Sequence, residues 1–221
     1  MTSERKRSNA STRRAILANE IAQAIRLRMF RPGEWLRQID LEERFQATRF
    51  DVRSALDELS VRKTIEHVPN RGYRVAEVDL KTYEEIQATR IVLETAAAEG
   101  IAARIDPAAI ARLTEVAAQF SAVVLTGSRT EQSEINRAFH QLLYSFCGNG
   151  VLEEMIWALR DRERGTPMTV WSSHEALLRS DREHYAMIEA LKAGDAPRLA
   201  QVIGEHIRTG GTRAPAAMAP G

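Results

Sequence analysis

The apolar residues of the first 76 positions change their spacing once, near Thr64. Before that point they recur every three or four residues in three runs. After it, two short apolar stretches, Ile65–Val68 and Tyr73–Val75, lie on either side of Pro69-Asn70-Arg71-Gly72. The first spacing is typical of amphipathic helices, and the second pattern is typical of a β-hairpin. The front of the chain is therefore predicted to contain three helices followed by a hairpin.

The first two helices are bounded by residues that disfavour helix. The apolar stripe of the first helix consists of Ile16, Leu17, Ile21, Ala24 and Ile25. We expect this helix to end near Met29, because Arg31-Pro32-Gly33 follows. The second helix is predicted over about residues 39–45, and a tight turn at Gln46-Ala47 follows it.

The third helix begins with a capping signal. Thr48 and Asp51 have the N-cap and N3 spacing of a capping box, so the helix is predicted to start at Thr48. Its apolar face is formed by Val52, Leu56 and Leu59. Arg49 and Arg53, four residues apart, share a separate face. Two short helices with a tight turn between them and a hairpin behind them predict a winged helix-turn-helix.

In a winged helix-turn-helix, the third helix enters the major groove of DNA and the hairpin tip reaches the backbone beside it. The residues predicted to contact DNA are Arg37, Thr48, Arg49, Arg53, Arg71 and Gly72. Residues 1–76 carry 16 Lys and Arg against 10 Asp and Glu, whereas the remainder carries 15 against 20. Because Lys and Arg neutralise phosphate, only the front module is expected to meet a polyanion. One recognition helix reads few base pairs, so a homodimer on a palindromic operator is expected.

From Leu80 onward the sequence has helical periodicity between breakers and no strand alternation. The predicted helices cover about residues 80–104, 107–125, 130–147, 151–164, 169–178, 181–193 and 197–208. They predict an all-α bundle of six or seven helices, and the fold class of the whole chain is mainly α. The expected domains are a disordered tail at 1–11, the winged helix-turn-helix at 12–77, the helical domain at 80–209 and a disordered tail at 210–221.

Three histidines of the bundle lie on or beside apolar faces. His140 follows Phe139 in an apolar stripe, and Asn136 lies one turn before His140. His184 and His206 are each 11 residues from Asp195, which lies between two predicted helices. In an antiparallel hairpin both histidines would rise about 16 Å from the turn and face each other.

These spacings leave two interpretations of the histidines. The set Asn136, His140, His184 and His206 would supply nitrogen and oxygen donors suited to a divalent transition metal. The alternative is that each histidine is an ordinary, hydrogen-bonded core residue. His67, in the predicted wing, and His174, in a predicted connecting segment, have no partner at ligand spacing and are expected to be structural or solvent-facing.

The front module resembles the winged-helix domain of GntR-family bacterial transcription regulators over about residues 12–77. The resemblance rests on Arg31-Pro32-Gly33-Glu34-Trp35-Leu36, Asp40-Leu41, the run from Thr48 to Leu56, and Pro69-Asn70-Arg71-Gly72. The family's usual recognition-helix pattern is Ser-Arg-Thr-Pro-Val-Arg-Glu-Ala-Leu. Here Thr48 replaces its Ser, Asp51 its Pro and Ser54 its Glu, and Lys63 stands where a Gly usually precedes the wing. These departures affect which operator sequence the module recognises more than whether it binds DNA.

The back module resembles the FCD ligand-binding domain of the FadR branch of the same family. In that domain an Asp-x-x-Phe-His motif and two later histidines hold a metal, and they match Asn136 to His140, His184 and His206. The family's Asp is Asn here. The resemblance implies a bound divalent transition metal, such as zinc, nickel or manganese.

The resemblance extends to the first helix of the back module. Arg90 and Glu94 match the family's Arg-x-x-x-Glu, whose Arg faces the effector pocket. A guanidinium beside a metal would suit a small organic acid as the effector. The alternative for Arg90 and Glu94 is an i,i+4 ion pair without a role in ligand binding.

The sequence favours a dimeric transcription regulator, expected to act as a repressor, that binds double-stranded DNA and senses a small organic acid. The alternative is a metal-dependent enzyme acting on a small carboxylic acid, with an accessory DNA-binding module. We expect no catalysis, because no HExxH frame and no Ser/His/Asp set is visible. A third possibility is a DNA-binding protein whose bundle is purely structural.

The same sequence argues against a membrane or secreted protein. No window approaches the roughly 18 consecutive apolar residues of a membrane span. The first 14 residues are charged and polar, unlike a secretory signal. Cys147 is the single cysteine, so an intramolecular disulfide or a CxxC site is excluded. A soluble, cytoplasmic protein without a membrane partner is expected.

Overall fold

Two units of the chain each bury a core of their own, one built on residues up to Asp79 and one that begins at Leu80. The structure is a computed structural model that describes residues 2–27, 29–163 and 174–210, with side chains from residue 13 onward. The elements of the front unit are α1 (Thr2–Arg26), β1 (Trp35–Leu36), α2 (Gln38–Arg44), α3 (Arg49–Val61), β2 (Ile65–Val68) and β3 (Gly72–Val75). The winged helix-turn-helix predicted from the sequence is confirmed.

The predicted turn between α2 and α3 forms, but only one half of the predicted capping box does. The Asp51 carboxylate accepts a hydrogen bond of 2.7 Å from the Thr48 hydroxyl and does not bond the Thr48 backbone N–H. Gln46 adopts a left-handed backbone with φ of 49° in the turn. Thr48 is the N-cap of α3, and its Oγ1 accepts a hydrogen bond of 3.2 Å from the backbone N–H of Asp51. Val52, Leu56 and Leu59 are fully buried, and α3 packs against α1 and α2. The remaining, exposed face of α3 is therefore free to meet a partner.

The hairpin belongs to a three-stranded antiparallel sheet with the order β1-β3-β2. Asn70, with φ of 63°, and Gly72, with φ of 105°, form the turn, in which the backbone N–H of Arg71 donates to the Val68 carbonyl at 3.0 Å. The sequence did not predict β1, which pairs Trp35 with Arg74 and Leu36 with Tyr73. Two residues are too short a run for an alternating pattern to show.

Helix α1 begins at Thr2, so residues 2–11 of the tail predicted as disordered at 1–11 are helical. Its first half is too polar to show an apolar stripe, which is why periodicity located only the second half. No proline or glycine interrupts the chain between Thr2 and Arg26, so the helix can propagate into the polar stretch. The tail predicted at 210–221 lies outside the described residues, apart from Gly210, which ends the last helix.

The back unit is all helical among the described residues. Its elements are α4 (Leu80–Ala96), α5 (Ala98–Arg104), α6 (Pro107–Val124), α7 (Arg129–Tyr144), α8 (Gly150–Glu163), α9 (His174–Lys192) and α10 (Ala196–Gly210). Helix α6 packs against α7 and α9, and α10 packs against α4, α5 and α9. The predicted mainly α fold is confirmed. None of the described helices has the length and apolar character that crossing a bilayer requires.

Two predicted helix boundaries in the back unit are wrong. The segment 80–104 is two helices, α4 and α5, separated at Ala97, which itself keeps right-handed helical backbone angles with φ of −73° and ψ of −19°. In α5, a Cβ on Gly100 would lie 2.1 Å from the carbonyl oxygen of Cys147, so α5 approaches the chain after α7 at backbone distance. The segments 169–178 and 181–193 do not form separate helices where described, since His174–Lys192 is continuous; residues 169–173 lie outside the described residues.

The cap of α3 generates a stability prediction. Replacing Thr48 by Ala removes the acceptor of the Asp51 N–H and should lower the free energy of unfolding by about 1 kcal/mol. Thr48→Ser keeps a hydroxyl at the cap and should cost much less. Urea denaturation of both full-length variants measures the difference. Equal stability of the Ala and Ser variants would show that the cap contributes nothing.

Candidate functional site

The three inward histidines of the back unit converge. His140 on α7, His184 on α9 and His206 on α10 each offer a ring nitrogen, and these atoms lie within 4.8 Å of one another. The Nε2 atoms of His140 and His206 are 3.1 Å apart and form a hydrogen bond in which one nitrogen donates and the other accepts. His140 and His184 are completely buried, and His206 is 8% exposed. No carboxylate or cysteine of the described residues joins this group, which we call the histidine cluster.

Helix packing explains why the histidines meet. Helices α9 and α10 pack together on either side of the turn that contains Asp195, and the rings of His184 and His206 are 5.3 Å apart between centroids. The predicted matching height of these two residues is therefore confirmed. Phe139 stacks on His184 at 4.1 Å, and Phe120 lies 5.1 Å from the same ring. Apolar side chains thus fix the His184 ring and exclude water around it.

Three ring nitrogens of the histidine cluster have no hydrogen-bond partner among the described residues: both of His184 and Nδ1 of His140, all of them buried. The same is true of Oδ1 of Asn136, which lies one turn before His140 on α7. An unpaired buried polar atom costs about 1–3 kcal/mol, so such a concentration of them requires an explanation. Nitrogens that bind one ion at about 2.0–2.1 Å stand about 3 Å apart when the bonds are near a right angle. The separation of 3.1 Å between His140 and His206 meets that condition. The donors therefore fit a metal ion.

The protonation state of the histidines also suits metal binding. Burial, followed by the charge of Arg160, lowers the pKa of His140 well below its usual value. Burial, followed by the charge of His206, lowers the pKa of His184 in the same way. Both rings are therefore neutral at pH 7, which is the form that binds a metal.

Glu183 orients the His206 ring, and the sequence analysis missed it. Its Oε2 lies 2.7 Å from Nδ1 of His206, and its Oε1 accepts a hydrogen bond of 2.8 Å from the Thr209 hydroxyl. Burial alone would raise the pKa of Glu183, but the hydrogen bond and charge of His206 outweigh burial and lower it. When Nδ1–H of His206 donates to this carboxylate, Nε2 keeps its lone pair and is the nitrogen that could be a ligand.

A second buried polar group lies beside the histidine cluster. Nε of Arg90 donates to Oε1 of Glu94 at 2.7 Å, so the i,i+4 ion pair considered for these residues is formed. Arg160 on α8 donates to the same carboxylate, with Nη2 at 2.5 Å from Oε2 and Nε at 3.1 Å from both oxygens. The Tyr144 hydroxyl also donates to Oε2, at 2.5 Å. We call Arg90, Glu94, Tyr144 and Arg160 the glutamate cluster.

The sequence analysis did not include Arg160 and Tyr144 in the site. Arg160 lies on another helix, 66 residues from Glu94 in the chain, so no local spacing connects the two. Tyr144 lies one turn after His140, and that i,i+4 relation was the one signal that could have located it. The rings of His140 and Tyr144 are 6.1 Å apart, so the glutamate cluster adjoins the histidine cluster.

In the front unit, the residues predicted to contact DNA lie at the surface. Arg37, Thr48, Arg49, Arg53 and Arg71 are exposed, and Gly72 is half-buried. Arg37 is the N-cap of α2, and the Arg71 guanidinium lies 5.8 Å from the centre of the Trp35 ring. Phe50, on the same end of α3 as Arg49, is 68% exposed and was not predicted as a contact. The exposed end of α3 thus combines cationic and apolar side chains.

The other two histidines do not join a donor group among the described residues. His67 lies in β2, as predicted, with its ring 4.8 Å from that of Tyr73. His174 was predicted in a connecting segment, but it is the first described residue of α9. It is exposed.

The FCD domain model matches residues 85–209, which is more than half of the chain. The chain belongs to the FCD-domain family. Its FCD domain contains both clusters described above. This FCD-domain protein is 23% identical over 175 residues to the HTH-type transcriptional regulator YdhC of Bacillus subtilis, covering 79% of this chain and 78% of that protein. It is 26% identical over 180 residues to the HTH-type transcriptional regulator BphR of Paraburkholderia xenovorans, covering 77% and 72%.

Solved structures share the fold of this FCD-domain protein. McbR/YncC of E. coli superposes with a TM-score of 0.81 at 22% identity, covering 89% of this chain and 93% of that one. A GntR transcriptional regulator from Rhodococcus sp. RHA1 superposes with a TM-score of 0.75 at 22% identity, covering 89% and 94%. The fold of this chain therefore recurs in proteins of known structure.

The glutamate cluster generates a prediction with a defined pH dependence. Burial would raise the pKa of Glu94, but Arg160 and Arg90 outweigh burial and lower it from 4.5 to about 2. The ionised carboxylate therefore contributes stability above pH 4.5, and this contribution is lost as the pH falls through about 2. Glu94→Gln leaves two buried guanidinium groups without their shared carboxylate and should lower the free energy of unfolding by about 3 kcal/mol at pH 7.

Denaturation of the full chain at several pH values measures this effect. The difference between wild type and Glu94→Gln should shrink as the pH falls below 4.5. Glu189→Gln is the control, because Glu189 forms an exposed pair with Lys192 at 2.8 Å and should change stability by less than about 0.5 kcal/mol. A constant difference between pH 7 and pH 2 would mean that Glu94 is not ionised in the folded protein.

Proposed function

We propose that this chain is a dimeric, DNA-binding transcription regulator that acts as a repressor and senses a small organic acid through a metal held in its FCD domain. The DNA-binding domain covers residues 12–77 and the ligand-sensing domain residues 80–209. The observation that supports this function best is the combination of a winged helix-turn-helix with the buried histidine cluster. The relatives named as transcriptional regulators support it as well.

The front unit is proposed to bind a palindromic operator as one half of a homodimer. Thr48, Arg49 and Arg53 lie on the exposed part of α3 that would enter the major groove, and Arg37, Arg71 and Gly72 would meet the phosphates beside it. Arginine recognises guanine through two hydrogen bonds, which makes Arg49 and Arg53 the proposed base-reading residues. Two half-sites are needed because one short helix contacts few base pairs.

The proposed metal ligands are Asn136, His140, His184 and His206. Their buried, unpaired donor atoms support a divalent transition metal such as zinc, nickel or manganese. When bound, such an ion would offer open coordination positions to a carboxylate. The protein's own residues prepare the site, since Glu183 orients His206 and Phe139 fixes His184. Arg90 is the proposed residue that adds a positive charge for the effector.

Effector binding would act on DNA through the helices that carry the ligands. The four proposed ligands lie on α7, α9 and α10, so an acid that completes the coordination draws three helices into one arrangement. Such an effector alters DNA binding only to the extent that it binds two arrangements of the dimer with different affinity. A coupling of about 1–3 kcal/mol is sufficient for regulation.

The DNA-binding proposal predicts distinct effects of single arginines. Arg49→Ala and Arg53→Ala should each weaken binding to a selected operator by about 1–3 kcal/mol and relax the preference at one base position. Gel-shift titration of the full chain with randomised half-sites measures both effects, and Arg112→Gln, an exposed change in the FCD domain, is the control. A single half-site should bind much more weakly than the palindrome. If both alanine variants bind like wild type, α3 is not the recognition helix.

The metal proposal predicts a separation of two functions. Replacing His184 and His206 by Ala together should abolish metal retention while leaving DNA binding without effector largely unchanged, because the recognition helix belongs to the other unit. Metal per subunit after equilibrium dialysis is the readout, with circular dichroism to establish that the variant folds. His174→Ala, which removes an exposed histidine of α9, is the matched control. One metal per subunit in the double variant would show that the ion binds elsewhere.

A further inference from the structure

An aromatic side chain projects from the N-terminal end of α3. Phe50, the second residue of that helix, is 68% exposed. Leu59 follows it by nine residues, about two and a half helical turns, and is fully buried. The two side chains therefore leave α3 on opposite sides. Phe50 lies at the middle of the side that faces away from the core of the front unit.

The wing contacts the second half of that exposed side. Asp57 follows Phe50 by seven residues, about two turns, so both residues belong to the same side of α3. The Asp57 carboxylate accepts a hydrogen bond of 2.5 Å from the hydroxyl of Tyr73, a buried residue of β3. The wing is thus fixed beside the second half of α3, and the ring of Phe50 projects from the first turn.

The charges beside Phe50 match a polyanion. Arg49 directly precedes Phe50, and Arg53, three residues after it, is its neighbour on the helix surface. Both arginines are exposed. An apolar surface of a protein partner would have to desolvate these guanidinium groups, which is costly, whereas the phosphates of DNA pair with them. The neighbours of the ring therefore favour DNA as its partner.

The chemistry of the major groove limits what an aromatic ring can recognise there. Base edges present hydrogen-bond donors and acceptors in this groove, and thymine adds an apolar C5-methyl group. A phenyl ring has no hydrogen-bonding group, so the methyl is the substituent that it can cover without leaving polar atoms unpaired. Apolar contact with this methyl group distinguishes thymine from the other bases.

We propose that Phe50 is a specificity-determining residue that packs against the C5-methyl group of a thymine in each half-site of the operator. The proposal rests on the DNA-binding part of the proposed function, in which α3 enters the major groove. Arg49 and Arg53 supply charge and hydrogen bonds beside the ring, and Phe50 supplies the apolar part of the recognition surface. The operator then requires thymine at one position that neither arginine reads.

The experiment uses the full chain and a palindromic duplex that it selects from a randomised library. In the selected duplex, each symmetrical pair of thymines is replaced by uracil in turn. Uracil lacks only the C5-methyl group of thymine and pairs with adenine in the same way, so the replacement removes the proposed contact and keeps the hydrogen-bonding groups of the base pair. Fluorescence anisotropy of the labelled duplex gives the dissociation constant.

Uracil should weaken wild-type binding at one symmetrical thymine pair. Burial of one methyl group corresponds to about fourfold in affinity, so its loss from both half-sites should weaken binding about 15-fold. Phe50→Ala should bind the thymine duplex more weakly and respond to uracil at that pair less than about twofold, because the interacting side chain is gone. Phe50→Leu keeps an apolar side chain and should keep part of the uracil effect.

Val61→Ala is the matched control, because it removes an 81% exposed apolar side chain from the other end of α3 and should respond to uracil like wild type. Circular dichroism establishes that the variants fold. Selected duplexes without a recurring thymine, or uracil that leaves wild-type binding unchanged at every position, would overturn the contact and leave DNA binding by α3 intact. A uracil effect of full size in Phe50→Ala would do the same. Failure to select any duplex would overturn the DNA-binding assignment of α3, and the contact with it.

Discussion

A buried imidazole needs either a hydrogen-bond partner or an ion, and the FCD domain brings three imidazoles together. His184 has no partner for either ring nitrogen among the described residues, and stacking on Phe139 leaves no access for water. The packing of the helices therefore buries ring nitrogens that need a polar partner, and apolar packing does not supply one. A metal ion would satisfy all three rings at once, and the Nε2 atoms of His140 and His206 already stand 3.1 Å apart.

The two buried clusters differ in charge and in the helices that they connect. Glu94 is held ionised by two arginines and ties α4 to α8, so the glutamate cluster fixes the walls around the histidines. The histidine cluster lies on α7, α9 and α10, and burial lowers the pKa of His140 and His184 within it. The two clusters adjoin at His140 and Tyr144, whose rings are 6.1 Å apart.

Local sequence signals predicted much of this arrangement, and tertiary contacts supplied the rest. The cap at Thr48 and the equal spacing of His184 and His206 from Asp195 are properties of one or two adjacent helices, so periodicity located them. Arg160 meets Glu94 only after α8 packs, and Glu183 was hidden because it neighbours His184 on the polar side of α9. Strand β1 was missed because two residues are too few to show the alternation of apolar and polar residues that marks a strand. The polar first half of α1 was missed because a helix without an apolar stripe has no periodic pattern in its sequence.

X-ray absorption at the metal edge tests the proposed metal binding at the histidine cluster most directly. Nickel-loaded full-length protein is the sample. Binding at the three histidines requires a first shell made of nitrogen and oxygen, with the outer scattering of three imidazole rings per ion. A shell that contains sulfur, or one without imidazole scattering, would contradict it.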